Sequence, residues 1–154
     1  AWLAHFTVSD VQSSTFRSFE RWGRGALGLA GAQAEPFRVW LKDWTAEDLN
    51  GPMRLRASED GIGIDLVLQP GKPPVLQGER GLSRKSAEPG NASYYYSLTR
   101  MPAAGTLRVG NERFTVTGSA WMDREWGTSA LGTDEAVTSV CGVLATESVP
   151  PDAR

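Results

Sequence analysis

The residues of this 154-residue chain best suited to chemistry lie in one short run, "SAWMDREW" at 119–126. Asp123 and Glu125 stand two apart with Arg124 between them, and Trp121 and Trp126 flank the set. A carboxyl among apolar groups has its pKa raised, so it stays protonated near neutrality and can act as a general acid. Aromatic faces beside it stabilise a cation formed when a substrate takes up that proton. Such chemistry requires neither a metal nor an organic cofactor. Asp123 and Glu125 are therefore the candidate acids. Trp121, Arg124 and Trp126, with Tyr94 and Tyr96 of the tyrosine run at 94–96, are the candidate ligand-binding residues. Each has a plainer reading: carboxylates paired with Arg124 at the surface, tryptophans in a core, tyrosine hydroxyls at a rim.

Strand parity governs which of these applies. If "RFTVTGSAWMDREW" (113–126) is one uninterrupted strand, Phe114, Val116, Ala120, Met122, Arg124 and Trp126 share a face. Asp123 and Glu125 then lie on the other face with Thr115, Thr117, Ser119 and Trp121. The apolar face would be the core and the acids would point outward. A bulge at Gly118 would exchange the later residues and turn both acids and Trp121 inward. The three consecutive tyrosines cannot all face one way.

The elements that position these residues are strands. "FRVWLKDW" (37–44), "MRLRAS" (53–58), "IGIDLVLQ" (62–69), "ASYYYSLTR" (92–100) and the 113–126 run all alternate with period two. Turn signals separate them: "EDG" (59–61), "PGK" (70–72), "EPGN" (88–91) and "VGN" (109–111). "TFRSFERW" (15–22) comes nearest to helical spacing, but no stripe persists for three turns. The expectation is an all-β fold, an antiparallel sandwich or barrel of roughly eight to ten strands. "GERGLSRKSAEPGNAS" (78–93) is a solvated loop or, alternatively, a rim over a binding site. After Asp134 the aromatic, alternating character is lost. Residues 135–154 read as a divergent, disordered tail, with one more short strand around "VTSVCGVL" as the alternative.

Composition narrows the function. A length of 154 residues suits one domain, and 40% hydrophobic with 22% charged residues is ordinary for a globular chain. The net charge of −2 gives no reason to expect nucleic acid or an anionic membrane as partner. One cysteine and one histidine leave no internal disulfide and no Cys- or His-based metal site. No apolar run approaches transmembrane length and no secretory leader is present, so a mature or trimmed segment is expected. Six tryptophans call for a large core or an aromatic-lined cavity.

Five stretches together resemble the carotenoid 1,2-hydratase/AttH-like family of predicted secreted hydrolases. They are "AHFTVSD" (4–10), "GLAGAQAEPFRVWLKDW" (28–44), "PPVLQGERGLSRK" (73–85), "GNASYYYSLTR" (90–100) and "GSAWMDREWGTSAL" (118–131). The resemblance spans roughly 1–134. It implies a lipocalin-like β-barrel that is one incomplete half of a two-barrel family, in a periplasmic or secreted, bacterial protein. Open sheet edges would favour self-association. In the carotenoid hydratases the position matching Arg124 is a histidine. An arginine does not act as an acid–base group near neutrality, so a proton-shuttling role is lost, and Arg124 is better suited to pairing with Asp123 or Glu125 of a neighbour or to binding a ligand carboxylate. Gln33 and Asp43 fall in the longest matching stretch without an evident chemical role.

Three functional readings follow. The first is a module that binds an apolar or amphipathic ligand: a lipid, isoprenoid or polyene. The second is a cofactor-independent hydratase, isomerase or cyclase with Asp123 or Glu125 as its acid. The third is an inactive fragment. No nucleophile–base pair supports a hydrolase.

Overall fold

The computed structural model describes residues 1–85 and 90–127, together with the backbone of a strand at Val137–Ser148. In chain order the strands are β1 (Trp2–Asp10), β2 (Thr15–Gly23), β3 (Ala30–Gln33), β4 (Arg38–Leu41), β5 (Trp44–Asp48) and β6 (Met53–Glu59). They continue with β7 (Ile62–Leu68), β8 (Val75–Leu76), β9 (Leu82–Arg84), β10 (Ala92–Val109), β11 (Glu112–Gly127) and β12 (Val137–Ser148). A single helical turn at Ala26–Gly28 is the one helical element among the described residues. The fold is all-β and antiparallel, as the alternation predicts. β1 and β2 form a two-stranded sheet. The others form a ten-stranded sheet in the order β12-β11-β10-β7-β6-β5-β4-β3, with β8 and β9 paired to β10.

The chain divides into two compact units. The first comprises Ala1–Gln69 and Ala104–Thr117, and the second Pro70–Ala103 and Gly118–Glu147. In the first unit, β1 and β2 pair residue for residue from Trp2↔Gly23 to Asp10↔Thr15. "TFRSFERW" is thus a strand. Its Phe19 faces Phe6 at 5.7 Å between ring centroids, and Phe6 meets Trp44 edge-on at 5.8 Å. Phe6, Trp44 and Ile62 form the buried centre of this cluster.

Trp44 reaches that position because "FRVWLKDW" is two strands. Lys42 takes a positive φ of 57°, β4 turns back into β5, and Leu41 pairs with Trp44, both buried on one face. The tight turn between β6 and β7 has the same physical basis. Asp60 and Gly61 have φ of 43° and 81°, the conformation whose twist matches a two-residue hairpin.

Polar groups order this unit as well. The Arg21 guanidinium donates to Asp43 Oδ1 at 2.5 Å, to Glu59 Oε2 at 2.7 Å and to the Ser58 carbonyl at 3.2 Å. It also lies 4.3 Å from the centre of the Trp44 ring. Asp43 thereby acquires the structural role that its sequence position does not reveal. Gln33 acquires one too, donating its amide to the carbonyls of Glu35 and Pro36 across the β3–β4 turn. Along β4 to β7, Arg38 is opposite Glu47, Glu47 opposite Arg54, and Arg56 opposite Asp65. Opposite charges in facing positions favour this register over a shifted one.

β10 runs on to Val109, well past Arg100, where the alternating run was expected to end. Arg100 has φ of 52° and Pro102, which cannot donate to a ladder, is exposed. In β11, Val116, Ala120 and Met122 are buried in unbroken alternation across Gly118. Gly118 therefore carries no bulge that exchanges the faces. Asp123 and Glu125 lie on the face opposite Met122. Beyond them, β12 is the neighbour of β11 in the sheet and includes the stretch "VTSVCGVL", given above as the alternative to a tail. The rest of 135–154 falls outside the described residues.

Candidate functional site

β10 and β11 carry two different sets of side chains on their two faces, both sets within the second unit. On one face Ser93, Tyr95 and Ser97 of β10 meet Trp121, Asp123 and Glu125 of β11. The Ser97 hydroxyl donates to Asp123 Oδ1 at 2.5 Å, and the Trp121 indole N–H donates to the same oxygen at 2.8 Å. The Tyr95 hydroxyl is a further donor to Asp123. The Ser93 hydroxyl donates to Glu125 Oε1 at 2.5 Å, and the Lys85 ammonium pairs with that oxygen. Gln77 donates its amide to Ser97 Oγ at 2.9 Å. Ser93 and Ser97 are both buried.

These surroundings fix the charge state of the acids. Burial pushes the Asp123 carboxyl up, but the hydrogen bonds from Ser97, Trp121 and Tyr95 outweigh it and hold the group below its ordinary value. Lys85, then Ser93, hold Glu125 below its own, against the opposing effect of burial. Tyr95 is pushed up by burial and by the Asp123 charge. The raised carboxyl pKa expected from the aromatic neighbours is thus reversed. Asp123 and Glu125 are ionised hydrogen-bond acceptors, because their nearest neighbours are donors and a cation. In particular Trp121 presents its N–H to Asp123, where an apolar wall was expected.

The opposite face assembles four of the five expected ligand-binding residues. The Tyr94 ring stacks against Trp126 with centroids 5.7 Å apart, and Tyr96 meets Trp126 edge-on at 5.9 Å. Arg124 Nη1 donates to the Tyr96 hydroxyl at 3.1 Å. Tyr94 is 57% exposed and Trp126 39% exposed, so the ring surfaces are open to a ligand. Trp121, the fifth, lies on the acid face. Ser93, Tyr95, Ser97, Gln77 and Lys85 were not foreseen as partners of the acids. The signal for three of them was present: Ser93, Tyr95 and Ser97 recur with the same period of two as Asp123 and Glu125. Gln77 and β8, paired to β10, come just before the segment read as a loop or rim, which places Lys85 at this face and β9 against β10. Residues 86–89 of that segment lie outside the described residues. Among the described residues no group of three His, Cys, Asp or Glu side chains converges as metal ligands would.

A family model described as AttH-like matches residues 1–141. The chain belongs to the AttH-like family. A crystal structure at 2.00 Å of a candidate AttH from Nitrosomonas europaea is similar to it, with a TM-score of 0.74 and 26% identity over 97% of this chain. The similarity is in keeping with the lipocalin-like all-β architecture. The matching region is 56% of that chain's length. The family match runs past residue 134, where the expected boundary lay, and into β12. No curated protein matches the chain. For this AttH-like chain the two-faced β10–β11 pair is the described arrangement with the richest chemistry.

Proposed function

We propose that this AttH-like domain binds an apolar or amphipathic ligand in an exported protein, through Tyr94, Tyr96, Arg124 and Trp126. The observation that carries the reading is the open cluster of three aromatic rings on one face, with a guanidinium at its edge. Rings at these separations offer flat apolar surface with little side-chain entropy to lose. An arginine beside them suits a carboxylate or another planar anion at the head of such a ligand. Isoprenoids, polyenes and fatty acids fit the apolar requirement, and ligands with an acidic head fit both. The family affiliation supports the domain type, and export is our inference from the resemblance of the five stretches to predicted secreted proteins.

A second reading, acid-driven hydration or cyclisation by Asp123 or Glu125, draws on the same motif. Their lowered pKa values disfavour it, since a proton donor near neutrality needs the opposite shift. Carotenoid hydration is further disfavoured by the residue type itself, an arginine at the position where the carotenoid hydratases carry a histidine.

The test is titration with long-chain fatty acids and with their neutral methyl esters, followed by tryptophan fluorescence. The reading predicts saturable binding that Trp126→Ala weakens at least about tenfold. It also predicts that Arg124→Gln weakens binding of the acid but not of the ester. Binding that is indifferent to both substitutions would place the ligand elsewhere.

A further inference from the structure

The turn between β2 and β3 makes a costly arrangement that the ligand-binding reading does not use. Leu27 is 97% exposed, and its backbone occupies the left-handed region with φ 56° and ψ 21°. A leucine there has no local reason to be favoured: the conformation suits glycine, and the side chain gains nothing from burial. The turn is nevertheless held firmly. The Trp40 indole N–H crosses Gly31 to donate to the Gly28 carbonyl at 2.8 Å, and a side chain at Gly31 would collide with that ring. Leu29 N donates to the Ala26 carbonyl at 3.2 Å, and Lys42 N to the Leu29 carbonyl at 2.6 Å. A fixed scaffold thus presents an apolar side chain to solvent.

Its neighbours are of the same character. Leu29 is exposed, and Trp22, at the end of β2, is 72% exposed beside its register partner Leu3, which is 62% exposed. Two exposed cations, Arg24 and Lys42, sit at the same end of this unit. The neighbouring carboxylate, Asp43, is already engaged by Arg21. Two cations thus flank the turn, although the chain's overall net charge is −2.

We propose that the Ala26–Leu29 turn is a membrane-interface anchor that inserts Leu27 and Leu29 into an anionic bilayer surface. Trp22 lies at headgroup level, and Arg24 and Lys42 meet the lipid phosphates. Leucine tips with a tryptophan and flanking cations are the composition of interfacial anchors. A stable protein partner needs a contiguous surface of roughly 800 Å², whereas the exposed large apolar side chains named at this end are Leu3, Trp22, Leu27 and Leu29. A bilayer surface accommodates so small a set. The proposal is independent of the ligand-binding reading.

The test is flotation of the whole chain with vesicles of phosphatidylcholine alone and of an about equal mixture with phosphatidylglycerol. The chain is expected to float with the mixed vesicles and about five-fold less per cation when Arg24 or Lys42 is changed to Gln. Leu27→Gly keeps the turn, because φ 56° suits glycine, so its unfolding temperature is expected to hold or rise. Its flotation is expected to fall at least about tenfold. No flotation of the native chain with either vesicle would overturn the proposal, as would a Leu27→Gly chain that floats equally well. Self-association of the native chain without flotation, abolished by Leu27→Gly, would assign the turn to a protein contact and overturn it too.

Discussion

Ser97, buried on β10, donates its hydroxyl to Asp123 on β11 at 2.5 Å while accepting from Gln77 at 2.9 Å. This one hydroxyl joins the β8–β9 segment to the motif strand. Asp123→Ala leaves it without its acceptor, and a buried polar group stripped of its partner costs about 1–3 kcal/mol. Asp123→Asn keeps an acceptor oxygen and is expected to cost less. Denaturant unfolding of the two variants, each against the native chain, measures the difference. Equal losses would mean that the charge, and not the hydrogen bond, matters.

Among the described residues five carboxyls are held low; Asp10, at an exposed turn, is one, and the pH dependence of stability follows chiefly from the other four. Asp43 and Asp65 are held low chiefly by hydrogen bonds from Arg21 and Arg54, and Glu125 chiefly by Lys85. Asp123 is held low by its donors against burial. A carboxyl with a depressed folded pKa adds stability above its unfolded value, near 4, and loses it as pH falls through the folded value. Unfolding free energy is therefore expected to be flat with respect to these groups from neutrality down to about pH 5, and to fall steeply below about pH 4. Asp123→Asn and Glu125→Gln should each make that fall shallower. A carboxyl of either residue titrating above about pH 6 by NMR would reverse the assignment and revive the acid-catalysis reading.

Lys85 and Glu125 form an ion pair whose side chains are about one-third exposed, 35% and 27%. Solvent screening limits such a pair to below about 1 kcal/mol of global stability. Its effect should be local. Lys85→Met is expected to leave the unfolding midpoint nearly unchanged and to speed amide hydrogen exchange in residues 78–85, where the lysine ties the segment to β11. Uniform exchange across the chain would contradict the local role.

Arg21 bridges two carboxylates beneath the Trp44 ring, and its own side chain is largely buried. Arg21→Met removes the cation and leaves Glu59 half-buried, with an expected cost of about 2 kcal/mol. Arg21→Lys recovers part of it, since an ammonium restores the charge but not the forked geometry. Thermal unfolding of both variants orders them: native, lysine, methionine.

The strands from 53 to 69 and from 113 to 126 were legible because their alternation is unbroken and glycine or aspartate closes each turn. Trp44 was not. Its alternation with Trp40 is perfect, and only the left-handed Lys42 reverses the chain between them. Phe16 and Phe19 mimic a helical interval. Phe19 faces the core, and Phe16 is left exposed because β2 is one half of a two-stranded ribbon. The parity of Asp123 and Glu125 was one of two alternatives, and the burial of Ala120 and Met122 across Gly118 decides it. Their charge state was illegible. It depends on Ser93, Ser97 and Lys85, residues 26 to 40 positions away that strand pairing alone brings near.

The division of chemistry between the faces of β10 and β11 has a consequence for how such a domain changes over generations. Substitutions at Tyr94, Tyr96, Arg124 or Trp126 can remodel what the aromatic face recognises while the serine–carboxylate network across the sheet stays whole. A single codon inserted after Met122 does the reverse. It would send Asp123 and Glu125 among the rings and Trp126 among the serines, ruining both faces at once. Diversification of this scaffold is therefore expected to proceed by exchange of residues within "DREW", with its length held fixed.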